Sequence, residues 1–279
     1  MSRVLDEGAR LNRPRYLELF AITPFPIVAA GDNLHEALRE GIAASRLVVE
    51  DGDILILTHK LISRAQGRVV QLDSVVPSAE ALRVAQKTNR DPRLVEVILR
   101  EANELVRVQD GHIITEHRLG HISANAGVDR SNSAEGDVVC LLPRDPDATA
   151  MQISTFIREE YGKRVAVLIS DSHGRPFRKG TVGTCVGVWG LRPLLNLRGQ
   201  QDLFGYTLER SDECIADELC GAANVLMGQA DEGVPAVLFR GMTWPVSGAP
   251  IREVLRVPEE DIFRSGNRSG HDRGDKEET

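Results

Sequence analysis

The sequence predicts a mixed α/β (α+β) protein built as a two-domain subunit. Two continuous apolar runs of strand length, ILILT at 54–58 and VAVLI at 165–169, read as strands buried on both faces. Amphipathic helical spacing recurs between and after them. Residues 105–124 read as antiparallel strands turning on Asp110-Gly111, a strong hairpin signal. Strand-helix alternation combined with antiparallel hairpins belongs to this class.

The elements follow in order. YLELFAI at 16–22 alternates like a strand and stops at Thr23-Pro24-Phe25-Pro26, where two prolines prevent a helix from starting. Leu34, Leu38, Ile42 and Ala43 set a helix over 33–47, and Asp51-Gly52-Asp53 turns into the strand at 54–58. A further strand is expected around 68–72, then helices over 78–87 and 92–103, the first opened by a serine with Glu80 in its first turn. A helix over 146–161 passes through Gly162 into the strand at 165–169, which is expected to end at Ser170-Asp171-Ser172. Ile215, Leu219, Ala222, Ala223 and Leu226 set a helix over 212–227 with Gly228 as its stop. Residues 1–15 read as an N-terminal extension and 16–265 as the folded region. Residues 266–279, which contain no apolar residue, read as a solvated polar tail.

Composition excludes several classes. The chain has 279 residues, 42 % of them hydrophobic, which is enough for a packed core. Its 34 Lys+Arg against 41 Asp+Glu give a net charge of −7, which argues against a sequence-independent grip on nucleic acid. The first fifteen residues lack an apolar signal core, and no later run approaches the roughly 18 residues of a membrane span. The expected location is cytoplasmic, with no membrane partner. Cys140, Cys185, Cys214 and Cys220 form no C-x-x-C pair, so a zinc knuckle or redox dithiol is not expected. Cys140 in VVCLL and Cys185 in GTCVGVWG suit burial rather than nucleophilicity.

The usual phosphate loops fail: 174–181 holds the letters of a Walker loop in the wrong order, and no strand runs into G-x-G-x-x-G. His117 and His121 stand four apart, but on a strand that spacing is about 13 Å, so they read as surface histidines. Three polar clusters remain. Asn125 to Asn132 combines amides, a carboxylate, a glycine and a cation, and would otherwise be a plain Asx-rich turn. Ser170 to Gly180 follows a buried strand, where open sheets place ligands, and would otherwise be a solvated turn. Thr58 to Arg68 follows the other buried strand and would otherwise be a basic surface face. Two aspartate-bearing loops and a basic one suit phosphoryl chemistry, because hard divalent ions prefer oxygen ligands and bridge nucleotide phosphates. Phe25, Trp189 and Phe204 are candidates for an aromatic stacking platform, with core packing as the alternative.

In order along the chain, TPFPIV at 23–28, HKLISRAQGR at 59–68, NAGVDRSN at 125–132 and SDSHGRPFRKG at 170–180 resemble the coenzyme F-420-0:L-glutamate ligase family. So do LRGQQDLFG at 197–205, ADEL at 216–219 and LMGQADEGVP at 226–235. The resemblance implies an intertwined homodimer of two-domain subunits that uses GTP to add L-glutamate to F-420-0 and then to F-420-1. It also implies magnesium or manganese, with two ions per site, and potassium as a further ion. Carried over by position, Pro24, Phe25, Pro26 and Ile27 would line the guanine pocket, His59 and Arg64 would reach the nucleotide, and Asn132 would contact GTP. Asp129 and Asp171 would hold a first metal and Ser172 a second, with Gly228, Gln229, Ala230 and Asp231 closing over phosphates and metal and Gln229 as a further metal contact. Arg64, Arg175 and Arg178 would stabilise charge on the transferred phosphoryl group. Arg64 stands where the family usually has Lys, Ser172 where it has Thr, and His173 where an aromatic or another residue is common. The alternatives are a related GTP-dependent ligase with another acceptor, and a non-catalytic deazaflavin- or GTP-binding protein.

Overall fold

A computed structural model describes residues 15–130, 137–244 and 246–264. In chain order the elements are β1 (Glu18–Ala21), α1 (Leu34–Ser45), β2 (Ile54–Thr58), α2 (His59–Ala65), β3 (Val69–Gln71), α3 (Ala79–Thr88), α4 (Pro92–Glu101), β4 (Ala102–Gln109), β5 (His112–His117) and β6 (Ile122–Ala124). After these come β7 (Val138–Cys140), α5 (Pro146–Tyr161), β8 (Ala166–Arg175), β9 (Arg178–Leu191), β10 (Leu195–Asn196), β11 (Asp212–Glu213), α6 (Ile215–Met227), β12 (Ala236–Arg240) and β13 (Val246–Ser247). The class is mixed α/β, as expected.

A six-stranded sheet, ordered β1-β12-β2-β8-β9-β13, organises the molecule. Side chains alternate across it, and both faces are covered. Leu55, Leu57, Val167 and Ile169 pack with Leu38 and Ile42 of α1 and Ile153 and Ile157 of α5. Ile54, Ile56, Ala166 and Leu168 pack on the other face with Leu219, Cys220 and Ala223 of α6. Burial on both faces is why these two strands read as unbroken apolar runs. A third apolar cluster, from Leu72 to Leu141, is built by α3, α4 and β5 under the three-stranded sheet β4-β5-β6.

Capping follows the sequence. Asn33 accepts from the His35 and Glu36 backbone N–H groups, Ser78 from Ala81, and Asp145 from Ala148. Asp110 and Gly111 both take positive φ, 48° and 78°, which matches the strand twist at the β4–β5 turn.

Several expectations need correction. The strand at 165–169 does not end at Ser170-Asp171-Ser172: β8 continues to Arg175 and folds back as β9, with a register shift between Ile169 and Ser170. The continuation is held by ladder hydrogen bonds while its side chains turn polar, so apolar patterning ends before the strand does. The helix expected over 212–227 begins at Ile215, because Asp212 and Glu213 pair with β10 as β11. Residues 59–65 are a helix, not a basic surface face, and its His59 and Ser63 are buried. His117 and His121 are not surface histidines either; they are 0 % and 4 % exposed. The turn between them brings their backbones together, with His117 N–H donating to the His121 carbonyl at 2.8 Å. Asn132, the N-terminal extension up to residue 14 and the tail at 266–279 lie outside the described residues.

Candidate active site

Strand register assembles one edge of the sheet. β2 and β8 run parallel with Thr58 opposite Ser170, so the residues that follow, His59 and Asp171, emerge side by side. β12 runs antiparallel to β2 with Ala236 opposite Leu57, which delivers the 228–235 loop to the same edge, and the Thr58 N–H donates to the Pro235 carbonyl at 2.9 Å. β1 ends there too, since the Ile22 N–H donates to the Ala236 carbonyl. The TPFPIV segment therefore leaves the sheet at this edge, through a cis Thr23–Pro24 peptide.

The result is a cleft of about 770 Å³ lined by Phe25, Pro26, Ile27, His59, Lys60, Arg64, Asp129, Asp171, Ser172, Asn224 and the 228–231 loop. Residues predicted from five separate stretches of chain meet here. Asp129 is set by a pair of backbone hydrogen bonds with Cys140, at 2.9 and 2.8 Å. Its Oδ2 lies 2.7 Å from Lys60 Nζ. Asp171 Oδ1 accepts from the Ser172 N–H at 2.7 Å and lies 3.2 Å from His59 Nε2, while Oδ2 lies 2.9 Å from His173 Nε2. Burial would raise the Asp171 pKa, but the His59 and His173 rings outweigh it and hold the carboxyl well below the usual carboxylate range. Asp171 in turn raises the His173 pKa against the pull of its own burial. Gln229 Nε2 donates to Ser172 Oγ at 2.8 Å and to Asn224 Oδ1 at 2.9 Å, which ties the loop to the floor of the cleft.

Some predicted residues stand elsewhere. Arg175 and Arg178 face each other across the turn of the β8–β9 hairpin and do not line the cleft. Arg175 lies four residues beyond Asp171 along the strand, about 13 Å away. Trp189 lines a second cavity with Trp244 at the opposite end of β2 and β8, and Phe204 is 96 % exposed on the 197–210 loop. Of the three aromatic candidates only Phe25 belongs to the cleft. Cys140 and Cys185 are buried as expected, and burial pushes the Cys140 thiol up to about 11.

Sequence reasoning missed two cleft residues. Lys60 was one cation among several, and only the helical start of 59–65 turns it toward Asp129. Asn224 had a signal: an amide in the middle of an apolar helix is a poor helix former.

The donors fit a hard divalent cation. Two carboxylates, a serine hydroxyl and an amide oxygen are oxygen ligands, and both nitrogens of the buried His59 lack an aligned hydrogen-bond partner. Among the described residues no three His, Cys, Asp or Glu side chains converge as a preformed ligand set. That suits an ion completed by water and phosphate oxygens rather than an all-protein cage.

Among the described residues, no helix is long and apolar enough to cross a membrane. The chain is similar to the coenzyme F-420:L-glutamate ligase of Methanocaldococcus jannaschii, 46 % identical over 255 residues, covering 91 % of this chain and all of that one. The Methanothermobacter thermautotrophicus protein of the same name is 42 % identical over 250 residues, covering 89 % of this chain and 99 % of its own. The Methanopyrus kandleri protein of that name is 43 % identical over 255 residues, with the same two coverages. The F-420-0:gamma-glutamyl ligase family pattern matches residues 23–241, and with the cleft residues inside that span the chain belongs to this family.

Proposed function

We propose that the protein is a GTP- and divalent-metal-dependent ligase of coenzyme F-420 biosynthesis, adding L-glutamate to F-420-0 and then, γ-linked, to F-420-1. The observation that carries this reading is the meeting of Asp129, Asp171 and Lys60 in one cleft of a chain with relatives of that name over most of its length. Making an amide from an unreactive carboxylate requires activation. In this reading the F-420-0 carboxylate oxygen attacks the γ-phosphorus of GTP, the bond to the β-phosphate oxygen breaks, and GDP leaves. The glutamate amine then attacks the acyl phosphate carbonyl, loses a proton, and expels inorganic phosphate.

The chain's own residues divide the work. Phe25, Pro26 and Ile27 supply an apolar wall for the base, beside Pro24. Lys60 and Arg64 meet phosphate oxygens, the lysine as a point charge and the arginine as a planar fork. Gln229 and the loop carrying Ala230 and Asp231 cover the phosphates. Asp129 and Asp171 would hold the divalent ion, which supplies charge neutralisation during phosphoryl transfer, and Ser172 a second ion. Because Arg175 and Arg178 stand outside the cleft, charge stabilisation falls to Lys60 and Arg64. Potassium and the homodimer belong to the same reading.

The test is mass spectrometry of the protein incubated with F-420-0, L-glutamate, GTP and manganese or magnesium, alongside a GDP assay. Stepwise glutamate additions that require both GTP and metal are expected. GTP turnover without a glutamylated product would move the activity to another acceptor, and GTP binding without turnover would return a carrier role.

A further inference from the structure

The geometry points to His173 as the positioning residue that fixes the Asp171 carboxylate for a divalent cation, a role that rests on the reading of Asp171 as a metal ligand. Asp171 and His173 are two apart on β8 and so project from the same face of the strand. His173 Nε2 lies 2.9 Å from Asp171 Oδ2, and the side chains are 14 % and 11 % exposed. The other oxygen, Oδ1, already has the Ser172 N–H at 2.7 Å and His59 Nε2 at 3.2 Å. A carboxylate offers about four lone-pair sites. The Ser172 N–H takes one on Oδ1 and His173 takes one on Oδ2, so Oδ2 keeps a lone pair that a cation in the cleft would use. The Ser172 N–H on Oδ1 and His173 on Oδ2 fix the rotation of the carboxylate about the Cβ–Cγ bond from its two ends, and His173 is the group that sets the direction of the free Oδ2 lone pair.

The strand pairing holds the His173 backbone in place, opposite Val182 of β9. An aromatic ring without a nitrogen would fill the same volume yet leave Oδ2 without its donor. Held at Oδ1 alone, the carboxylate could then pivot about the Ser172 contact, and a ligand that must be oriented after the ion arrives binds more weakly.

The experiment measures Mn²⁺ binding to the nucleotide-free, full-length protein by the electron paramagnetic resonance signal of free Mn²⁺, a readout independent of turnover. His173→Phe and His173→Leu both remove the donor, so one folded variant suffices, with the fold checked by near-ultraviolet circular dichroism. Each is expected to raise the Mn²⁺ Kd by roughly 10- to 100-fold. His173→Gln, whose amide N–H reaches the same region, is expected to stay within about threefold of the unmodified protein, which a purely structural role for the ring would not produce. Unchanged affinity in a folded apolar variant, with Asp171→Ala losing the ion, overturns the positioning role and leaves the metal site standing. A glutamine variant as weak as the apolar ones also overturns it. Mn²⁺ affinity retained by Asp171→Ala instead overturns the reading of Asp171 as a ligand.

Discussion

His59 Nε2 lies 3.2 Å from Asp171 Oδ1, although His59 opens α2 directly after β2 and Asp171 lies on β8, with α3 to α5 between them. Parallel register creates the contact: Thr58 pairs with Ser170, and the residue that follows each of them steps into the cleft. With Asp129 on the cleft wall, these are the two carboxylates that the proposed function assigns to a cation. Asp129→Ala and Asp171→Ala are each expected to lower GDP formation by about 100-fold or more. Retention of more than half the activity by either variant, in an assay with GTP, F-420-0 and glutamate, would remove that residue from the proposed metal site.

Gly41 lets Phe25 lie against α1. A Cβ at position 41 would stand 2.5 Å from Phe25 Cδ2, so the ring must move if the glycine is replaced. Gly41→Ala gains up to about 1 kcal/mol of helix propensity, which offsets the repacking, so stability changes little. In the proposed function the displaced ring no longer forms the wall for the base, so the GTP KM is expected to rise by roughly 10-fold at nearly constant kcat. An unaltered KM would take Phe25 out of nucleotide binding.

His121 couples stability to pH. Burial, reinforced by repulsion from His173 and His117, lowers its pKa from 6.5 to about 4. Between those values the unfolded chain binds a proton that the folded chain refuses. Stability is therefore fully present above about pH 6.5, falls as the pH drops toward 4, and changes no further through this group below that, a loss of up to about 3 kcal/mol. Urea unfolding from pH 7.5 to 4.5 should show this slope, and His121→Leu should flatten it. A slope left unaltered by the variant would assign the acid sensitivity to another group.

Arg240 holds a buried charge at the far end of the sheet. Its Nε and one terminal nitrogen reach the two Asp53 oxygens at 2.8 and 2.7 Å, and Asp53 is 1 % exposed. Arg240→Ala strands that carboxylate and is expected to cost about 3–5 kcal/mol in urea unfolding, whereas the Arg240→Ala/Asp53→Ala double variant recovers part of the loss. A double variant no more stable than the single one would show that the arginine acts through packing, including its stacking over Phe20.

Elements with a local cause were legible in the sequence. The Asp110-Gly111 turn, the capped helices and the two doubly buried strands each carry their signal within a few residues. The elements that escaped owe their state to distant partners. β12 is a run of only five residues, AVLFR, that becomes a strand by filling the gap between β1 and β2. The polar end of β8 is a strand because β9 pairs with it. At the site, Asp129, Asp171 and the 228–231 loop were found through ordered motifs, whereas Lys60 and Asn224 are recognisable only from what their helices face. The motif reading also drew in Arg175 and Arg178, because adjacency in sequence says nothing about the rise of an extended strand.

The place of β12 in the sheet has a consequence for synthesis. A chain emerging from the ribosome completes β1 and β2 long before residues 236–240 exist, and those two strands are neighbours of β12 rather than of each other. Until it inserts, each presents an unsatisfied backbone edge. The sheet cannot close, nor can the 228–235 loop reach the cleft, until nearly the whole described chain has left the exit tunnel. Folding is thus governed by long-range pairing, which is slow. Substitutions that weaken β12 should reduce the yield of native protein during translation more than they reduce the stability of molecules already folded.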